Sequence, residues 1–317
     1  MSEKRVLITG AAGYVGHQLG SLLAQDMYVI GVDIAVREAP FEILKLDVCD
    51  PSLASLLQAH KISHVVHLAS VVAPSRDRER DYRIDVDGTR NVLEACLASG
   101  VGHVTVTSSG AAYGYYPDNP AWLEESHPLR GNPEFFYSDH KRLVEEMLQD
   151  YRGRHPELKQ LVFRPCSVLG KNTRSTISNL FSGKAILDPA GANSPFVFIW
   201  DQDVINAIRF GVENDGEGEY NLAGDGALTP DQIGRILSKP VRKPPIWLIK
   251  LAMGFRYLLG KSDVKPDQII FLQYRPVLLN TQLKEKLGYV PAKSSEEVLR
   301  YFAEENLGIE PAGMEAA

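Results

Sequence analysis

Cysteine is scarce: Cys49, Cys96 and Cys166 are the only three in 317 residues, and their spacing matches no metal site. A disulfide framework is excluded, no metal is expected, and a reducing cytoplasm is the default compartment. Positive charge is not in excess either. Lysine and arginine number 34 against 40 acidic residues, a formal charge of −6, which argues against nucleic acid or an anionic membrane as a general partner. No apolar run reaches the ~20 residues of a spanning helix; the most apolar segment, 246–259, is interrupted by Lys250 and Arg256. Met1 to Arg5 lead straight into a short apolar stretch, without the long apolar region and small-residue cleavage site of a secretory leader. A cytoplasmic protein with no integral membrane segment is the expectation. Internal repeats and low-complexity linkers are also missing.

What is present is ordinary globular composition, 44% hydrophobic and 23% charged, over a length that at ~150 residues per domain suggests about two units. Short strand-like runs at 5–9, 28–33, 42–46, 64–67 and 103–107 alternate with helical periodicity at 15–25, 51–60 and 83–99. Strand, helix, strand at this spacing predicts an α/β fold, a Rossmann doubly wound parallel sheet. A helix over 136–151 and a strand over 160–164 come next. Beyond Pro165 the pattern loosens into a helix at 203–213, a strand near 219–222 and helices beginning near Pro230, Pro245, Asn280 and Ser294. Asn280 and Ser294 read as N-caps, and Glu297 completes a capping box with Ser294. The expected division is a dinucleotide-binding domain over 1–165 with a return segment at about 196–222. A smaller, mostly helical substrate domain takes 166–195 and 223–307, and 308–317 is a frayed tail.

Directly after the first strand, Gly10-Ala11-Ala12-Gly13-Tyr14-Val15-Gly16 places three glycines at the opening of the first helix. Backbone without Cβ atoms can approach a pyrophosphate, and the helix start offers free N–H groups and a favourable dipole. Gly10, Gly13, Tyr14, Val15 and Gly16 are therefore candidate cofactor contacts. Asp33 closes the second strand at the offset where a carboxylate accepts from the adenosine ribose; Ile34 follows it. A carboxylate there repels a 2′-phosphate, so NAD is favoured, and Arg37 nearby leaves NADP as the less favoured dinucleotide. Asp47-Val48 follow the third strand, where they can meet the adenine edge.

Tyr137 and Lys141 stand one helical turn apart on one face. A lysine ammonium, with the positive charge of an oxidised nicotinamide, stabilises a phenolate, so such a tyrosine can exchange a proton with an alcohol oxygen while hydride moves at carbon. The same spacing recurs at Tyr257/Lys261 and Tyr289/Lys293, but Gly260 and Pro291 interrupt those pairs. Thr107-Ser108-Ser109 end the fifth strand, at the sheet edge where ligands bind, and a hydroxyl there can hold a substrate oxygen beside Tyr137.

These elements, together with His67-Leu68-Ala69-Ser70, Gly88-Thr89, Tyr113-Gly114, Arg164-Pro165 and Leu287-Gly288-Tyr289, make the chain resemble the extended short-chain dehydrogenase/reductase family, the NAD-dependent epimerases and dehydratases. The resemblance covers nearly the whole chain. It implies Ser109, Tyr137 and Lys141 as catalytic residues and adds Leu68, Ala69, Ser70, Thr107 and Pro165 to the cofactor site. It also implies a homodimer through helices 83–99 and 136–151. Asp85 stands near the cofactor where the family commonly has asparagine. Ser167 stands where nucleotide-sugar members have asparagine, and Phe196 where they tend to carry an arginine for the diphosphate. Both are candidate substrate contacts, and Phe196 cannot neutralise a diphosphate. The segment from Pro244 to Leu259, and Tyr274-Arg275-Pro276, are similar to hydroxysteroid dehydrogenases of the superfamily. The sequence therefore favours an NAD-dependent oxidoreductase interconverting a secondary alcohol and a ketone on a fairly apolar small molecule. A nucleotide-sugar epimerase or dehydratase with retained NAD is the alternative. The apolar segment reads as a core helix, a wall of the cleft or a shallow membrane-surface contact.

Overall fold

Near-continuous valine, leucine and isoleucine in the first strands are what a sheet covered on both faces demands. The computed structural model, which describes residues 4–72, 76–171, 173, 175–192, 195–260 and 265–309, supplies both covers. Its elements begin β1 (Arg5–Thr9), α1 (Tyr14–Leu23), β2 (Tyr28–Asp33), β3 (Glu42–Lys45), α2 (Leu53–Ala59), β4 (His64–His67), α3 (Arg78–Tyr82), α4 (Gly88–Ser99) and β5 (His103–Thr107). They continue with α5 (Phe136–Arg154), β6 (Lys159–Pro165), β7 (Ser167–Leu169), α6 (Thr176–Ser182), β8 (Ile186–Leu187), β9 (Phe198–Trp200), α7 (Asp201–Glu213) and β10 (Gly218–Leu222). The last are α8 (Pro230–Ile236), β11 (Val241–Arg242), α9 (Ile246–Leu258), α10 (Ile270–Gln273) and α11 (Ser295–Phe302).

Seven parallel strands in the order β10-β6-β5-β4-β1-β2-β3 make the doubly wound Rossmann sheet. One face is closed by α2, α4 and α5 through Leu53, Leu57, Val92, Leu93, Val144 and Leu148. The other is closed by α1 and α7 through Leu19, Leu23, Val204 and Ile208. The strand order reverses between β1 and β4, so their carboxyl ends form the crevice where such sheets take ligands. A third core, with Phe181, Phe196, Phe198, Ile233, Val298 and Phe302, lies outside the sheet.

Several expectations change here. The helix expected over 83–99 is present, its first turn at Arg83–Asp87 wound as a π-helix before α4. Ser294 does cap α11 with Glu297, but the Asn280 amide donates instead to Ala223 O and the Asp225 carboxylate. A short helix does begin directly after Asn280, at Thr281, and runs on as the π-helical turn Leu283–Leu287. The two-stranded pairs β7/β9 and β8/β11 are too short to carry a period and were not legible. Of the tail expected to fray, residues 310–317 lie outside the described residues. Among the described residues no helix is long and apolar enough to cross a membrane, no group of side chains is placed to hold a metal, and the three cysteines are free thiols.

Candidate active site

The glycine turn is built by close approach. Gly10 adopts φ +69°, and a Cβ there would sit 2.8 Å from Ala69 N; one on Gly16 would sit 2.3 Å from Gly10 O. The turn is closed by Gly13 N donating to Gly10 O at 3.1 Å, and α1 opens at Gly13 with no side chain capping its N–H groups. A cradle that side chains would fill, ending on uncapped amides, fits a dinucleotide pyrophosphate. Asp33, at the end of β2, accepts from Ala12 N and Ala35 N, each at 3.0 Å, which fixes the carboxylate beside the turn. Arg37 donates to Ala12 O at 3.4 Å on the same loop, and Ile34 is exposed. Val15 is half-buried on α1.

Not every expected contact faces the crevice. Asp47 is taken up by Cys49 N at 2.9 Å and the Arg83 guanidinium at 2.8 Å; the backbone N–H, then Arg83, hold its carboxyl below the usual range. Val48 is buried against the space over Gly88. The Tyr14 hydroxyl binds Lys171 O and the Asp201 carboxylate, lining a separate surface cleft that includes Arg37 and Tyr301. Ser70 donates to Asp85 at 2.9 Å, Val71 N to the same oxygen at 2.8 Å, and His140 Nδ1 lies 2.9 Å from the other. Asp85, 3% exposed, thus ties the Leu68–Val71 loop to α5 from beneath. Burial pushes its pKa up, but His140, Lys141 and the loop donors outweigh this and hold it down.

Tyr137, Ser109, Pro165, Ser167 and Phe196 converge on one cavity of about 560 Å³. Lys141 reaches in behind Tyr137: its Nζ donates to Thr107 O at 3.0 Å and lies 5.8 Å from the Tyr137 ring centre. Burial lowers the Lys141 pKa, with Asp85 and Glu145 opposing. The Tyr137 phenol is pushed up by burial while the facing Ser109 hydroxyl pulls it down. Desolvation thus works against the phenolate stabilisation expected from Lys141 together with an oxidised nicotinamide. Ser109 Oγ also accepts from Ala111 N at 3.1 Å, capping the turn Gly110–Tyr113.

The helix that carries Tyr137 and Lys141 is pinned by a buried network. Arg164 donates to both Glu145 carboxylate oxygens, at 2.6 to 3.0 Å, and to the Tyr113 hydroxyl at 2.8 Å; Ser108 donates to Glu145 at 2.6 Å. Burial pulls the Arg164 pKa down, and the Glu145 carboxylate more than reverses this.

Sequence reasoning missed Arg275 as a site residue. Its guanidinium carbon lies 3.8 Å over the Phe196 ring in the cavity wall, and Nη1 donates to Leu272 O at 2.6 Å. Burial lowers its pKa to about 10, against Asp188, so it is cationic at neutral pH. Phe196 is a wall residue as expected, but the inference that this place lacks positive charge is corrected: a cation arrives from 79 positions along the chain. No local spacing could have revealed that. Gln268 and Phe271 join the same wall from the Pro266–Ile269 turn and α10, again without a sequence signal.

A family model described as the NAD dependent epimerase/dehydratase family matches residues 6–223. A UDP-glucose 4-epimerase of Mycolicibacterium smegmatis is 34% identical over 315 residues, covering 90% of this chain and 93% of that protein. A D-erythronate dehydrogenase of Cupriavidus necator is 28% identical, covering 95% and 98%. Among solved structures, a UDP-glucose 4-epimerase of Thermotoga maritima shares the fold with a TM-score of 0.73 at 22% identity, over 96% of this chain and 99% of that one.

Proposed function

We propose that this chain, which belongs to the NAD dependent epimerase/dehydratase family, is an epimerase that inverts a carbinol carbon of a diphosphate-linked sugar. Gly10, Gly13, Gly16 and the start of α1 would hold the pyrophosphate of NAD, Asp33 its adenosine ribose, and Lys141 its nicotinamide ribose. When bound, the nicotinamide supplies the hydride acceptor and donor. Proton handling falls to the protein. Tyr137, as the phenolate that the Lys141 ammonium and an oxidised nicotinamide would stabilise against the burial that raises its pKa, takes the proton of the sugar hydroxyl, becomes the neutral phenol and returns that proton. The Ser109 hydroxyl holds the sugar oxygen. Lys141, tethered to Thr107 O, keeps a positive charge behind the phenol.

The observation that carries this reading is Arg275, a buried cation stacked on Phe196 in the cavity that also holds Tyr137 and Ser109. It restores the diphosphate partner that Phe196 by itself denies. The likeness to UDP-glucose 4-epimerases supports it. The test is proton NMR of UDP-glucose and UDP-N-acetylglucosamine incubated with the protein: the C4 epimer should appear without net NADH. Arg275→Met should raise KM about tenfold to a hundredfold, the 1.4–2.8 kcal/mol of a charge-assisted pair, with kcat little changed.

A second reading, oxidation of a secondary alcohol on a fairly apolar substrate, draws on the phenylalanines Phe135, Phe136, Phe196 and Phe271 in the same cavity and on the likeness to D-erythronate dehydrogenase. NADH released from simple alcohols, with no epimer of any sugar diphosphate, would put it first. Pairing of two copies through α4 and α5 also belongs to this proposal, and light scattering of the purified protein tests it.

A further inference from the structure

The helix α9 has no buried residue. Its inner face, Ile246, Ile249, Met253 and Tyr257, is half-buried, set against the Pro266–Ile269 turn. Its outer face is apolar as well: Trp247, Leu248, Leu251, Phe255, Leu258 and the cap residue Leu259 are 67%, 45%, 65%, 65%, 84% and 51% exposed. At 100° per residue these six fall within an arc of about 120°, and Lys250 and Arg256 lie about 60° beyond its two edges. Exposed apolar patches of this kind mark contact surfaces.

Charge identifies the partner. Residues 239–265 hold seven basic side chains and one acidic, a net +6, so the other 290 residues carry −12. Within the segment Lys243 is paired with Asp188 and Asp231 at 3.3 to 3.4 Å, and Lys250 lies 3.7 Å from Asp267; Arg242, Arg256 and Lys265 are exposed. The whole-chain charge that argues against an anionic surface therefore hides one local exception, located where the apolar side chains are. Two copies joined symmetrically through α9 would bring two such basic segments together. An apolar stripe edged by cations fits the headgroup boundary of an anionic bilayer.

We propose that α9 lies flat on an anionic lipid surface, with Trp247, Leu251 and Phe255 in the acyl boundary and Lys250 and Arg256 among the phosphates. The turn that supports α9 continues into α10, and Gln268 and Phe271 from these two elements line the catalytic cavity. Arg76 also reaches the same helix, its guanidinium 4.9 Å over the Tyr257 ring. Docking would set that cavity wall beside the membrane. The inference stands on surface geometry and charge and is independent of the reaction proposed above.

The experiment is co-sedimentation of the full chain with vesicles of phosphatidylcholine alone, or with one-third phosphatidylglycerol, at low and high salt. Binding at least about tenfold stronger to the anionic vesicles, weakened by salt, is expected, with tryptophan emission moving to the blue. The triple variant Trp247→Ser, Leu251→Ser, Phe255→Ser should lose binding while keeping the wild-type circular dichroism and melting temperature, since the three side chains point away from the core. Lys250→Glu with Arg256→Glu should abolish the preference for anionic vesicles. Absence of binding, binding that survives the triple variant, or a dimer in sedimentation velocity that the triple variant dissolves would each overturn the proposal, the last by showing that a second copy covers the stripe.

Discussion

The crevice at β1 and the cavity wall beyond Pro165 make opposite demands on a sequence. At the crevice most of the constraint is local: Gly13 and Gly16 are required because Gly10 O passes within about 3 Å of where a Cβ would stand, and Gly10 itself takes a left-handed φ of +69°, with the Leu68–Ala69 backbone as its one distant neighbour. In the wall, Ser167, Phe196 and the pair Gln268 and Arg275 come from three separate segments and meet only after folding. On the function proposed above, the first region carries the chemistry and the second selects the molecule on which it acts. Changes near Tyr137 should therefore alter rate, and changes in the wall should alter binding.

The strongest test of that contrast is Tyr137→Phe, which leaves the wall intact and should reduce kcat about 10²- to 10⁴-fold with KM nearly unchanged. A large KM change instead would blur the division between the regions. Next is Arg164→Met, which leaves Glu145 buried without its ion-pair partner. It should cost about 3–5 kcal/mol of stability in urea unfolding, and the loss should appear as unfolding rather than altered specificity. Acid should act on the sheet before the wall. Burial lowers the pKa values of His64 and His103, and that of His67 to about 3. In the unfolded chain these groups protonate near 6.5, so the unfolded state binds more protons and stability falls as pH drops from about 6.5 toward 3. His67→Gln should flatten the dependence of melting temperature on pH in that window. The smallest effect belongs to the outer core: Ser294→Ala removes the cap of α11 and should cost about 1 kcal/mol, read as a shift in melting temperature with catalysis unaltered.

Legibility in the sequence divides along the same contrast. The alternation from Arg5 to Thr107 reveals the parallel sheet because strands buried on both faces leave an apolar run that no other element needs. Tyr137 and Lys141 were legible because one helical turn puts both on a single face. Asp85 was legible as a departure but not as what it is, a buried anchor between the Ser70 loop and His140, since its partners lie 15 and 55 positions away. Asn280 looked like a cap for a local reason and serves a distant one, holding Ala223 O. The spacing of Tyr137 and Lys141 showed the pair expected to stabilise a phenolate beside an oxidised nicotinamide, but not the burial that opposes it by raising the phenol pKa.

By itself the sequence determined the doubly wound sheet, the glycine cradle and the tyrosine–lysine pair, because hydrophobic period, Cβ sterics and helical pitch act over a few residues. Only the tertiary structure decided that Arg275 lies on Phe196, that Arg164 and Glu145 anchor α5, and that α9 turns an apolar face outward. Side-chain contact, desolvation and exposure depend on segments the chain brings together from far apart.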